Sequence, residues 1–199
     1  MRRSMYALTS IMIALGLALG SLTAAPTPPV AAQSTTTSFT NATPIAIPPV
    51  PAGKSSHYPW TSTVSGVEGA ITQVKVRLLG LTHSFPDDID ILLVSPGGQR
   101  QAIVLSDVGG STAVNNVTLT LADDAPALLP DNGPLTSGTY RPTNADGAGD
   151  TFAAPAPNGP YGSTLAVFNG LVDGGVNGAW SLYVMDNGDA APAGSRAGL

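Results

Sequence analysis

Three carboxylates, Asp87, Asp88 and Asp90, fall within one short stretch of the chain. Hard oxygen ligands this close together are the raw material of a Ca²⁺ site, which takes about six to eight oxygens. Asp107, Asp186 and Asp189 would extend the set if their loops converge. No EF-hand-type loop is present, and the same carboxylates serve equally well as acceptors for turn N–H groups or as solvated charges. Both readings stand at this level. The chain has two histidines, His57 and His83. His83 ends an apolar run just before Phe85, where it is either a proton shuttle or metal ligand, or a ring that closes the loop by a hydrogen bond. Nucleophilic serine chemistry needs Ser, His and an acid brought together. The run Gly162-Ser163-Thr164-Leu165-Ala166 has a serine among small residues, but no Asp or His loop of protease type accompanies it. Self-contained catalysis is not expected. Cysteine is absent, so thiolate chemistry and disulfides are excluded.

The elements that must position these residues lie in Ile71 to Leu105. Val74, Val76 and Leu78 alternate with Gln73, Lys75 and Arg77, the pattern of a half-buried strand. Ile89 to Val94 is apolar on both faces after Asp90, which predicts a central strand covered on both sides. Between them, Pro86 belongs outside the sheet. Ser95-Pro96-Gly97-Gly98 suits a type II turn, with Pro96 presetting φ and Gly97 accepting a positive φ. Ala102 to Leu105 returns as the antiparallel partner.

The rest of the chain reads in the same vocabulary. Ile45–Ile47, Trp60–Val64, Val114–Leu121, Leu165–Phe168 and Ala179–Met185 are predicted strands. Trp180 and Tyr183 fall on opposite faces of the last, with Trp180 in the core. Asp186-Asn187-Gly188-Asp189 is predicted as a hairpin turn. Ala122 to Gly162 is too long for a bare connection and should carry some structure of its own. Tyr140, Tyr161, Tyr183 and Trp60 form either a glycan-stacking platform or ordinary packing. Only one glutamate, Glu68, occurs in 199 residues, alongside 23 glycines and 18 prolines. Long helices are therefore not expected, and the fold class is all-β, a sandwich of many short strands.

Met1 to about Ala32 predicts an export signal: Arg2 and Arg3, then the apolar Leu8–Leu22, then small residues. Residues 33–44 read as a Pro/Thr-rich linker. All 13 acidic residues follow position 60, while two of the eight basic ones are Arg2 and Arg3. An acidic mature chain disfavours nucleic acid and anionic membranes as partners.

In order and spacing, His83, Asp88, Ile89, Ile91, Leu93 and Ser95-Pro96-Gly97 resemble the P domain (Homo B domain) of subtilisin-like proprotein convertases, in its bacterial secreted or surface-protein form. Gly138 to Pro142, Phe168-Asn169-Gly170, and Asn177-Gly178-Ala179-Trp180-Ser181-Leu182 with Asp186 extend the likeness over roughly Ile45 to Gly198. The resemblance implies a jelly-roll, galactose-binding-like sandwich over 45–199. In it, His83, Asp88, Ser95, Pro96, Gly97, Gly178, Trp180 and Asp186 are structural. The closing Gly-Trp-Ser-Leu strand of similar proteins has no counterpart in Ala193–Leu199, so the sandwich is expected to lack its last strand. The resemblance further implies a non-catalytic accessory module, associated with proteolysis through a subtilisin-like protease domain. The alternative is a cell-surface adhesion or glycan-binding sandwich.

Overall fold

The computed structural model describes residues 34–47, 52–147 and 149–188. The stretch read as an export signal and the run Ala193–Leu199 lie outside the described residues. Among the described residues, no helix is long and apolar enough to cross a membrane. The fold belongs to the unit Thr37–Leu199 and is all-β.

Among the described residues, nine strands form two sheets: β1 (Gly53–Lys54), β2 (Trp60–Val64), β3 (Val76–His83), β4 (Ile89–Val94), β5 (Gln101–Ser106), β6 (Val114–Leu121), β7 (Gly138–Tyr140), β8 (Thr143–Asn144) and β9 (Gly178–Asp186). The larger sheet runs β1-β9-β4-β5-β8, with β2 also pairing β9; the smaller runs β3-β6-β7. The β5–β8 and β6–β7 pairs are parallel, and the others antiparallel.

Strand β4 is central, as its two apolar faces predict, lying between β9 and β5. Ile89, Ile91 and Leu93 enter the main core with Leu119 and Leu121 of β6. Leu92 and Val94 enter a second cluster with Ile103, Phe152 and Tyr183, where a segment of the 122–162 excursion covers the other face. Trp180 packs edge-on to Phe168, its Nε1 donating to the Val176 carbonyl at 2.9 Å. Trp180 and Tyr183 thus serve opposite faces of β9, as predicted. The excursion supplies β7 and β8, each laid parallel beside an earlier strand.

The turn after β4 forms as its residues dictate. Gly97 has φ 69° and ψ 9°, and the Gly98 N–H donates to the Ser95 carbonyl at 3.0 Å. The Ser95 hydroxyl accepts from the Arg100 N–H at 3.0 Å. The turn packs on the start of β9: a Cβ on Gly178 would lie 3.0 Å from Pro96 Cβ, and φ there is 151°. That close approach requires glycine.

Three expectations are corrected. Ile45–Ile47 is not a strand. Ile45 and Ile47 do pack on the core, but Ser56 supplies a hydroxyl to the Ala46 N–H where a ladder would supply a carbonyl, and prolines flank the run. Leu165–Phe168 is a 3₁₀ turn. The Asp123 carboxylate draws it into that shape by accepting from the N–H groups of Leu165 (3.0 Å) and Ala166 (2.6 Å). Strand β3 begins at Val76 rather than Val74, the preceding Ile71 instead bonding to Gly170 and Leu171. Part of the predicted linker is also held: Asn41 donates to the Thr61 carbonyl at 2.7 Å, and Trp60 to that of Thr43 at 3.0 Å.

Candidate functional site: an acidic cluster beside a buried histidine–aspartate pair

Alternation along β4 and β9 sends neighbouring acids to opposite faces. Asp186 pairs with Ile89 and follows Trp180, Leu182 and Val184 into the interior. Asp90 pairs with Met185 and shares the outer face of Leu92 and Val94. Asp88, Asp90 and Asp186 are all buried.

A bulge in β5 then brings a hydroxyl to Asp90. The register shifts between Ile91↔Leu105 and Leu92↔Ile103, so Val104 and Leu105 both face inward. Parity is reversed, and Ser106 emerges beside Asp90. Its Oγ lies 2.6 Å from Asp90 Oδ1, 2.6 Å from Asp150 Oδ1 and 3.0 Å from Asp107 Oδ2. Asp107 turns back into the group with φ 54°. Two amides hold the far oxygens: Asn187 Nδ2 donates to Asp90 Oδ2 at 2.7 Å, and Asn144 Nδ2 to Asp150 Oδ2. Ligand atoms of Asp90, Asp107 and Asp150 lie within 4.8 Å of one another and line a cleft of about 250 Å³.

The proton inventory of this cluster does not close. A hydroxyl donates once, so Ser106 can satisfy one carboxylate while its lone pairs face the other two. Burial pushes the Asp90 carboxyl up to about 7, with the Asp107 and Asp150 charges adding to it against the relief of the Ser106 and Asn187 hydrogen bonds. The Asp107 carboxyl is also raised, first by burial and then by Asp150. Either a proton or a hard cation relieves such a group. The donor set, three carboxylates around a hydroxyl oxygen, fits Ca²⁺ in kind, with carbonyls and water needed to complete it.

The predicted trio is not one site. Asp90 joins Asp107 and Asp150; Asp88 is buried beneath the turn after β3, its carbonyl accepting from Asn187 N–H at 2.8 Å. Asp87 faces Asp131 and the Gly110 backbone instead. The reason is geometric: Pro86–Asp88 is a single 3₁₀ turn, which sends its carboxylates in different directions. Asp186, offered as a further ligand, faces His83 rather than the cluster. Asp189 lies outside the described residues. Asp150, Asn144 and Ser106 went unseen in the sequence. The one signal was Asp90 itself, a charge inside an apolar strand that must be matched by polar partners.

His83 closes its loop as the structural reading expected, with Nδ1 2.8 Å from the Phe85 carbonyl oxygen. Its Nε2 lies 3.3 Å from Asp186 Oδ2, both side chains being buried, at 3% and 0% exposure. The contact is a close polar approach without hydrogen-bond alignment, since neither atom makes a hydrogen bond. It ties the end of β3 to the end of β9 across the sandwich. Among the described residues, neither ring nitrogen contacts a serine: Nδ1 meets the Phe85 backbone and Nε2 faces Asp186. The second histidine, His57, contacts the Ser56 hydroxyl at 3.1 Å. Neither is part of a Ser-His-acid arrangement among the described residues. The four aromatics do not assemble either: Tyr161 and Tyr183 belong to the outer cluster, Trp60 and Tyr140 to the main core.

Compared with family models, curated proteins and solved structures, the chain matches none.

Proposed function

We propose that this chain is a secreted, non-catalytic jelly-roll module resembling the P domain, which stabilises and tunes a subtilisin-like serine endopeptidase. The observation that carries this reading is how the motif residues are used. Ser95, Pro96 and Gly97 build the turn on which Gly178 packs, Trp180 fills the core, and His83 and Asp186 tie the sheets. A set of residues spent on architecture suits a domain whose value to its partner is a rigid surface. In this reading Ca²⁺ binds at Asp90, Asp107 and Asp150, neutralising the cluster and fixing the loops that bear it.

Affinity capture from the culture medium of the source cells, against cell-wall glycans as the competing bait, tests the function. Enrichment of a subtilisin-like protease, with a raised melting temperature of that protease in the complex, is expected. Saturable glycan binding without protease capture would replace this reading by the surface-adhesion one.

A further inference from the structure

A second cleft carries a cation, Arg141, in its lining. Leu128 and Arg141 bridge in parallel, and the Arg141 N–H donates to the Ala127 carbonyl at 2.7 Å. Their side chains, with Pro142, Ser163, Thr164 and Asp123, line a cleft of about 320 Å³. That volume is at the lower end of the range for small-ligand sites.

Asp123 would be the natural partner of Arg141, yet its oxygens are committed elsewhere. Oδ2 accepts from Thr164 Oγ1 at 3.0 Å and from the Ala166 N–H at 2.6 Å; Oδ1 accepts from the Leu165 N–H at 3.0 Å. Among the described residues, the Arg141 guanidinium and the Ser163 hydroxyl have no hydrogen-bond or ion-pair partner. Two free donors thus share a cleft with an apolar wall. Leu128 is 50% exposed, unusual for a leucine at a fixed bridge, and Pro142 brings no N–H to the wall.

We propose that this cleft binds the free C-terminus of a peptide whose last residue is apolar. A guanidinium presents a planar fork that matches a carboxylate in two parallel bonds, and the Ser163 hydroxyl supplies a third donor. The wall decides which carboxylate. A terminal residue carries its carboxylate and its apolar side chain on the same carbon, so one residue meets both the fork and the exposed Leu128 side chain. An Asp or Glu side chain presents its carboxylate with a polar backbone behind it and leaves Leu128 uncovered. This proposal does not depend on the protease reading.

The test is an NMR titration of the ¹⁵N-labelled protein with three probes: acetyl-Gly-Gly-Leu as the free acid, the same peptide amidated, and acetyl-Gly-Asp-Gly amide. The free acid should shift the amides of Leu128, Arg141, Ser163 and Thr164 saturably, with Kd near or below about 1 mM. Amidation, and Arg141→Gln in the protein, should each weaken binding about tenfold. Ser163→Ala and Leu128→Ser should weaken it by smaller factors, all variants keeping the wild-type melting temperature because these side chains are not buried. Equal binding of acid and amide, equal binding of the Asp peptide, shifts mapping elsewhere, or no saturation by about 10 mM would each overturn it.

Discussion

Asp186 and Asp90 sit on hydrogen-bonded neighbouring strands, one facing into the sandwich and the other out, and the protein treats them in opposite ways. Asp186 is fully buried and faces an imidazole that is itself fixed to the Phe85 carbonyl. Asp90, 1% exposed, faces a hydroxyl that two other carboxylates also claim. The first arrangement brings a potential counter-charge to a buried charge; the second gathers like charge around a single proton. A carboxylate that serves architecture is given a partner. One gathered with like charges is relieved by a proton or by a cation, and that contrast, rather than the mere density of acids, makes the outer cluster the group to test.

The largest test of the comparison removes the partner from the inner pair. His83→Ala removes the buried imidazole that Asp186 faces and leaves a cavity beside that carboxyl, which should cost about 3–5 kcal/mol, or a fall in Tm of roughly 10 °C. Chemical and thermal melts measure it. Combining it with Asp186→Leu should recover part of the loss, since the stranded carboxyl is then gone. A cost below about 1 kcal/mol for His83→Ala would mean that Asp186 is not held by this contact.

The outer group predicts the opposite sign. Asp90 titrates near 7 in the folded chain, above the ordinary value of about 3.9. Between those values the native state keeps a proton that the unfolded state has released. Stability should therefore fall as pH rises from about 4 to about 7, by on the order of 3 kcal/mol, and stay low above that. Asp90→Asn should flatten this slope and be the more stable protein at pH 8 while matching wild type near pH 4. A wild-type profile already flat across that window would remove the repulsion on which the comparison rests.

Ca²⁺ sharpens the same point at smaller amplitude. A cation at about ten times its Kd should raise stability by about 1.4 kcal/mol, roughly 3–5 °C in Tm, at a pH where Asp90 is ionised. Asp107→Asn or Asp150→Asn should abolish the response, and lowering the pH should weaken it because protons compete for the same oxygens. If Tm is the same in Ca²⁺ and in chelator, the metal reading is wrong and protonation alone relieves the cluster.

The fold was more legible in the sequence than the site, for a physical reason. Alternation, turn chemistry and apolar runs are local, and they were enough to place β4, β5, β6 and β9, the type II turn at Ser95–Gly98, and Trp180 in the core. Where local pattern failed, a side chain intervened: Asp123 drew Leu165–Phe168 into a turn, and Ser56 took the place of a strand beside Ala46. The site depends on long-range events. Ser106 faces Asp90 only because of a bulge in β5, and Asp150 arrives a few residues after β8, a short parallel strand within the long excursion. Neither leaves a spacing to read. The resemblance placed structural roles on His83 and Asp186 without indicating that the two would meet.

The smallest expected effect separates the site read from spacing from the site found in space. Asp87 belongs to the sequence trio with Asp88 and Asp90, and burial, with Asp131 next, raises its carboxyl as well. It makes no part of the group of Asp90, Asp107 and Asp150. Asp87→Asn should therefore change stability by no more than about 0.5 kcal/mol and leave both the Ca²⁺ response and the pH slope of the wild type intact. The same melts, run with Ca²⁺ and with chelator, measure all three quantities. Loss of the Ca²⁺ response on this substitution would move the cation toward the β3–β4 turn and restore the trio; its retention, beside loss in Asp150→Asn, places it at the mouth of the β5 bulge.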